Sequence, residues 1–212
     1  FYIVGAAMSL ASAVLVMCVK FPFRAPEEGV HLVSIDRFFL PRGATIALVI
    51  ALITASLGIV MTTRLTIEFC TSVMVGFFLA ACALHIPAVK NARFASAIGN
   101  ALAIIAILTM FAHDDILDST LKPTLFGFGI ALSSSEQLYK LLDSCDHCQR
   151  STAESTYFLS SDGGLFLGIA AGWQLTTAVK SAEEIALGLL VVATVICSLN
   201  VLIKKKQAKH HA

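Results

Sequence analysis

Asp162 and Glu136 are the residues of this 212-residue chain whose type and setting invite chemistry. Each is a carboxylate inside a long apolar stretch. Asp162 lies in residues 147–174, HCQRSTAESTYFLSSDGGLFLGIAAGWQ, just ahead of Gly164, Gly168 and Gly172. Glu136 follows Ser133, Ser134 and Ser135 and stands four residues before Lys140. A charge in such a segment is costly and turns toward a partner or a watery cavity. A carboxylate reached alternately from two sides of a membrane takes up a proton on one side and releases it on the other, so proton carriage is the chemistry these two predict. The plainer alternative pairs Glu136 with Lys140 on one helical face and has Asp162 cap or bridge a helix end.

The remaining polar groups have similar pairs of readings. Gly164, Gly168 and Gly172 fall on one helical face and predict a seam where a second backbone approaches closely. The serines before each carboxylate either hydrate a path or bond their own helix and its neighbours. Asn100, Gln174 and Asn200 are single polar groups in apolar helices, and Gln174 is placed to bond a solute. Arg150 opens the stretch that carries Asp162, where it serves as a cytoplasmic gate residue or a topological anchor. Cys145, His147 and Cys148 have metal-ligand types, but a closed zinc site needs four ligands and no second Cys/His pair lies nearby. A cytoplasmic turn is the expectation there, with no metal and no cofactor.

Positioning these residues requires helices in lipid. The chain is 57% hydrophobic and 14% charged, with mean hydropathy +0.83, whereas soluble domains carry about 25% charged residues. A spanning helix needs about 20 mostly apolar residues. Seven segments meet that pattern: 1–19, 44–61, 69–86, 94–112, 123–141, 157–179 and 185–203. Their length, without period-2 alternation, speaks against a barrel. The expected fold class is therefore an all-α integral membrane protein with seven transmembrane helices. Residues 20–43 form a Pro-containing cytoplasmic connection, with a short surface helix expected over 31–40. Residues 44–203 form a six-helix bundle, and 204–212 a basic cytoplasmic tail that suits anionic lipid.

Orientation follows from the basic residues. With the carboxyl terminus in the cytoplasm, twelve fall inside and only Arg64, Lys122 and Lys180 fall outside, a consistent positive-inside pattern. At about 1.5 Å per residue, Glu136 then lies roughly 20 Å from the outer face and Asp162 roughly 8 Å from the inner one. Both are expected in the inner third of the bundle, where one polar pocket would hold them together. The six cysteines act as small hydrophobes rather than a disulfide framework. The chain opens on Phe1 in an apolar run with no basic leader, and is expected to continue a longer protein.

Residues 150–168, RSTAESTYFLSSDGGLFLG, resemble the loop and eleventh helix of major facilitator superfamily transporters. Residues 126–142, FGFGIALSSSEQLYKLL, resemble that family's tenth helix. The resemblance makes 1–19 the sixth helix, 20–43 the loop between halves, and 44–203 helices seven to twelve. The loop 85–94, HIPAVKNARF, departs from the gating-loop pattern many members carry. What the resemblance implies is secondary transport of a small organic solute by alternating access. Protons would be coupled through Asp162 and Glu136, with Asn100 and Gln174 in the cavity. The partners implied are the small-molecule substrate, protons, the lipid bilayer and a missing amino-terminal bundle of the same protein. The compartment is a plasma membrane of the bacterial inner-membrane type.

Other classes are disfavoured. The last apolar segment, IALGLLVVATVICSLNVLI, lacks the lysine a retinal Schiff base requires. No nucleophile–base constellation or phosphate loop suggests an enzyme, and the basic residues sit at block edges rather than on one nucleic-acid-binding face. The rival class is a non-transporting membrane sensor or assembly module.

Overall fold

Apolar blocks punctuated by short polar turns fold here as successive helices. The computed structural model describes residues 7, 10–12, 14–15, 17–18, 38–86, 95–112, 118–145, 149–178 and 182–210. Among these the residues from 38 onward form six α-helices and no strand: α1 (Ala44–Thr63), α2 (Ile67–Ala83), α3 (Ala95–Ala112), α4 (Asp118–Asp143), α5 (Arg150–Ala178) and α6 (Ala182–His210). A 3-10 turn, Pro41–Gly43, leads into α1. The chain divides into two compact units, Phe1–Ser34 and Ile35–Ala212, so the boundary falls within the connection 20–43. The described residues of the first unit are helical. Of the surface helix expected over 31–40, residues 31–37 lie outside the described residues and 38–40 are not helical, and most of the loop 85–94 also lies outside them. Helix α6 continues past residue 203 to His210, through the stretch expected as a tail.

Local chemistry accounts for the helices. Hydroxyls inside α1 donate to their own backbone, Thr54 to the Ile50 carbonyl at 3.0 Å and Ser56 to that of Ile53 at 2.7 Å, which removes the cost of carrying them in an apolar helix. Thr66 caps α2 by accepting from the Phe69 N–H at 3.2 Å, with Glu68 in the first turn to complement the helix dipole. Pro123 sits early in α4, where the missing N–H removes one helical hydrogen bond.

Six principal pairings assemble the second unit. Helix α1 packs against α4, α5 and α6; α4 also packs against α2 and α3; and α3 meets α6. Helices α2, α4, α1 and α5 thus follow one another in a row, with α3 behind α4 and α6 behind α1. These pairings are unchanged when α1, α2 and α3 are exchanged for α4, α5 and α6 respectively. The slighter contacts of α5 with α4 and α6 fall outside that pattern. The packed interior includes Val49, Ile53, Ile107, Phe126, Ile130 and Leu190.

Close backbone approach makes three of the seams, among them that of α2 with α4 through Gly76 and Gly127. A Cβ on Gly58 of α1 would lie 2.6 Å from the Leu165 carbonyl oxygen and 2.8 Å from the Ile169 nitrogen of α5. One on Gly99 of α3 would lie 2.6 Å from the Gly129 carbonyl oxygen of α4. Gly188 of α6 is different, because a Cβ there meets nothing within 4 Å. Gly188→Ala is therefore expected to stabilise the protein by up to about 1 kcal/mol through helix propensity. Reversible unfolding in mixed lipid–detergent micelles measures it, and a loss of stability would mean that an uncounted neighbour covers Gly188.

The expectation of seven spans meets a stricter test in the helices themselves. Two described helices are long and apolar enough to cross a membrane, Pro41–Thr63 and Ala182–Asn200. Ile67–Ala83 and Ala95–Met110 are apolar but shorter. Helices α4 and α5 are long, but α4 carries Lys122, Glu136 and Lys140, and α5 mixes Ser, Thr and Gly with Asp162. The segment 1–19 lies largely outside the described residues.

Candidate functional site

The helical period places Asp162. Gly164, Gly168 and Gly172 of α5 are buried against α1: a Cβ on Gly168 would meet the Ala55 carbonyl oxygen and approach its Cα at 2.7 Å, and one on Gly172 would come within 3.1 Å of the Ile59 Cα. Asp162 precedes Gly164 by two residues, roughly 200° around the helix, and so lies on the opposite, exposed face. Its neighbours there are large and apolar: Phe158, Phe166, Ile169 and Trp173 are all exposed. Ser160 donates to the Thr156 carbonyl of its own helix at 2.7 Å. Gln174 is exposed in the last turns of α5, and Arg150 is exposed at its start.

Glu136 is held inside the bundle. Its Oε1 is 2.6 Å from the Lys140 Nζ, with side-chain exposures of 11% and 30%. Its Oε2 accepts the Ser96 backbone N–H in the first turn of α3. A carboxylate at a helix N-terminus satisfies an orphan donor and complements the dipole. Around it, Gln137 Nε2 donates to Ser96 Oγ at 2.7 Å and approaches Cys197 Sγ of α6 at 3.3 Å. Ser96 Oγ lies 3.3 Å from Ser133 Oγ, and Lys140 Nζ lies 3.9 Å from Cys197 Sγ. One polar cluster thereby ties α3, α4 and α6 together.

The two carboxylates therefore have separate surroundings, not the single pocket expected from their depths. Glu136 is engaged by α3 and Lys140, whereas Asp162 stands on the free side of α5. Removing both contacts of Glu136 with Glu136→Ala is expected to cost about 2 kcal/mol, the range of hydrogen bonds to charged groups. Adding Lys140→Ala should cost little more, since the ammonium has already lost its partner. A double-mutant cycle in the same unfolding assay checks this, and full additivity of the two losses would contradict it.

Asn100 is fully buried in α3, one turn beyond Ser96, and neither polar atom of its amide has a hydrogen-bond partner. Ser134 Oγ is likewise buried and unpartnered. Cys145 Sγ donates to the Leu142 carbonyl at 3.1 Å, while His147 and Cys148 lie outside the described residues. Among the described residues no group of three or more His, Cys, Asp or Glu is placed to hold a metal.

At the opposite ends of α1 and α3 a second tie appears. Arg64, just past α1, places its Nε 2.5 Å from Glu183 Oε1 in the first turn of α6 and donates to the Met110 carbonyl of α3 at 3.2 Å. Sequence reasoning missed this pair, and missed Ser96, Gln137 and Cys197. Arg64 and Glu183 are 119 positions apart, and no local spacing announces such a contact. Gln137 alone carried a signal, as a polar residue beside Glu136. The chain matches no protein-family model, no curated protein and no solved structure.

Proposed function

We propose that the chain is the carboxyl-terminal portion of a secondary transporter of the major facilitator type. It moves a small organic solute by alternating access, coupled to protons through Asp162. The observation that carries this reading is the exposed Asp162 on the otherwise apolar outer face of α5. An ionisable residue on a lipid-embedded helix marks a watery path or a charged partner, and its position away from the α1 seam leaves it free to meet either. The exchangeable pairing of α1–α3 with α4–α6 gives further support, since internal structural repeats are a habit of transporter folds. In this reading all six helices and the segment 1–19 cross the membrane, with the carboxyl terminus in the cytoplasm. The 17 residues of α2 reach about 26 Å at 1.5 Å each, slightly short of a hydrocarbon core about 30 Å thick. Glu136 serves here as a structural tie rather than a proton carrier.

The test is solute uptake into vesicles that contain the product of the complete coding sequence, driven by an imposed proton gradient. Uptake that collapses when the gradient is dissipated is the expected result. Well-folded protein that gives no gradient-dependent flux across a broad solute panel would instead favour a membrane sensor or assembly module, with the apolar face of α5 as its docking surface.

A further inference from the structure

We propose that the interior between α3, α4 and α6 holds a bound-water site, with the Asn100 amide as its principal ligand. A fully buried amide with both polar atoms unpartnered is rare in folded proteins and signals a small polar species beside it. Its place in the helix indicates where that species sits. Asn100 shares a face with Ser96, one turn earlier, and helical side chains lean toward the preceding turn. The amide therefore leans toward the cluster of Ser96, Ser133, Gln137 and Cys197, in which Ser96 Oγ also lies 3.6 Å from Cys197 Sγ.

The chemistry of the orphaned atoms selects the occupant. Asn100 Oδ1 needs a donor and Nδ2 needs an acceptor. A cation would satisfy only the oxygen and an anion only the nitrogen, and either would add uncompensated charge to an interior where Glu136 and Lys140 already neutralise one another. Water is both donor and acceptor, and buried waters are stable where they make two to four hydrogen bonds. One water bridging the amide to the Ser96 or Ser133 hydroxyl satisfies these requirements. The site extends the polar cluster by one turn into the apolar part of α3, and it places water beside the contacts that Ser96 and Gln137 make with Cys197.

The experiment is hydroxyl-radical footprinting of the full chain in lipid vesicles, with oxidation read at each cysteine by mass spectrometry. Radiolysis of a bound water labels the side chains beside it. Cys197 is expected to be oxidised rapidly in the wild type. In Asn100→Leu, which removes both amide ligands, its rate should fall by about threefold or more as the water is lost. Cys70 on α2, outside the cluster, serves as the reference and should not change. Asn100→Ser restores a group that both donates and accepts, and should restore labelling toward the wild-type rate. If Asn100→Leu does not fold, the wild-type rate of Cys197 relative to Cys70 decides the question. Equal Cys197 rates in wild type and Asn100→Leu, or a slow rate in the wild type itself, would overturn the proposal. A higher Tm for Asn100→Leu with unchanged labelling would identify a dry, unsatisfied amide and overturn it equally.

Discussion

Gly168→Ile is expected to separate α1 from α5 and to cost about 3 kcal/mol, at the upper end of what overpacking does in a well-filled interior. The obstacle is backbone, so rotamer changes cannot relieve it. A Cβ at this position meets the Ala55 carbonyl oxygen and lies 2.7 Å from the Ala55 Cα. The approach is close from both sides, since a Cβ on Gly58 of α1 would come within 2.9 Å of the Gly168 carbonyl carbon. Helices in lipid gain no hydrophobic attraction from one another, so close packing of small residues supplies much of their association. Insertion of a branched side chain forces the helices apart and forfeits those contacts along the whole seam. Denaturant-like detergent titration in mixed micelles should show the midpoint falling sharply, with Gly168→Ala intermediate. An unchanged midpoint for Gly168→Ile would show that α1 and α5 do not meet along this line.

Asp162→Asn should reduce gradient-driven uptake to the level of protein-free vesicles while leaving the fold intact. Both halves of that expectation come from the exposed position of the side chain. A surface substitution away from packed features changes stability by about 0.5 kcal/mol or less, so yield and unfolding midpoint should match the wild type. The amide cannot bind and release a proton, so a carrier that uses Asp162 loses its coupling. Exchange of labelled for unlabelled solute at equal pH on both sides, which moves no net protons, should persist. Glu136→Ala is expected to behave in the opposite manner, with a stability loss and no selective loss of coupling at equal folded amount. If Asp162→Asn retains wild-type gradient-driven flux, Asp162 is not the coupling group.

The period of the α-helix made much of this arrangement legible before any tertiary contact was known. Glycines at 164, 168 and 172 had to share a face, and a residue two positions before the first had to lie nearly opposite, whatever helix the glycines met. Glu136 and Lys140, four apart, likewise had to be neighbours on α4. The apolar blocks pointed to successive helices in the same way, because their length exceeds that of strands and their order is local. Their membrane-crossing capacity was less legible. Hydropathy is a sum over a window, and the charges of α4 and the small polar residues of α5 lower that sum in helices that are otherwise long.

Tertiary structure alone decided which neighbour each face would find. Nothing in the glycine ladder names α1 as its partner. Nothing near Glu136 points to the Ser96 N–H, forty positions away. Arg64 and Glu183 pair only because α1 ends where α6 begins in space. The burial of Asn100 has the same origin: a lone amide on an apolar helix faces lipid, solute or interior according to how α3, α4 and α6 close around it. Helical periodicity is a property of the backbone and is carried by any few consecutive residues. The choice among faces is an outcome of the packing of all six helices together, and only the assembled bundle contains it.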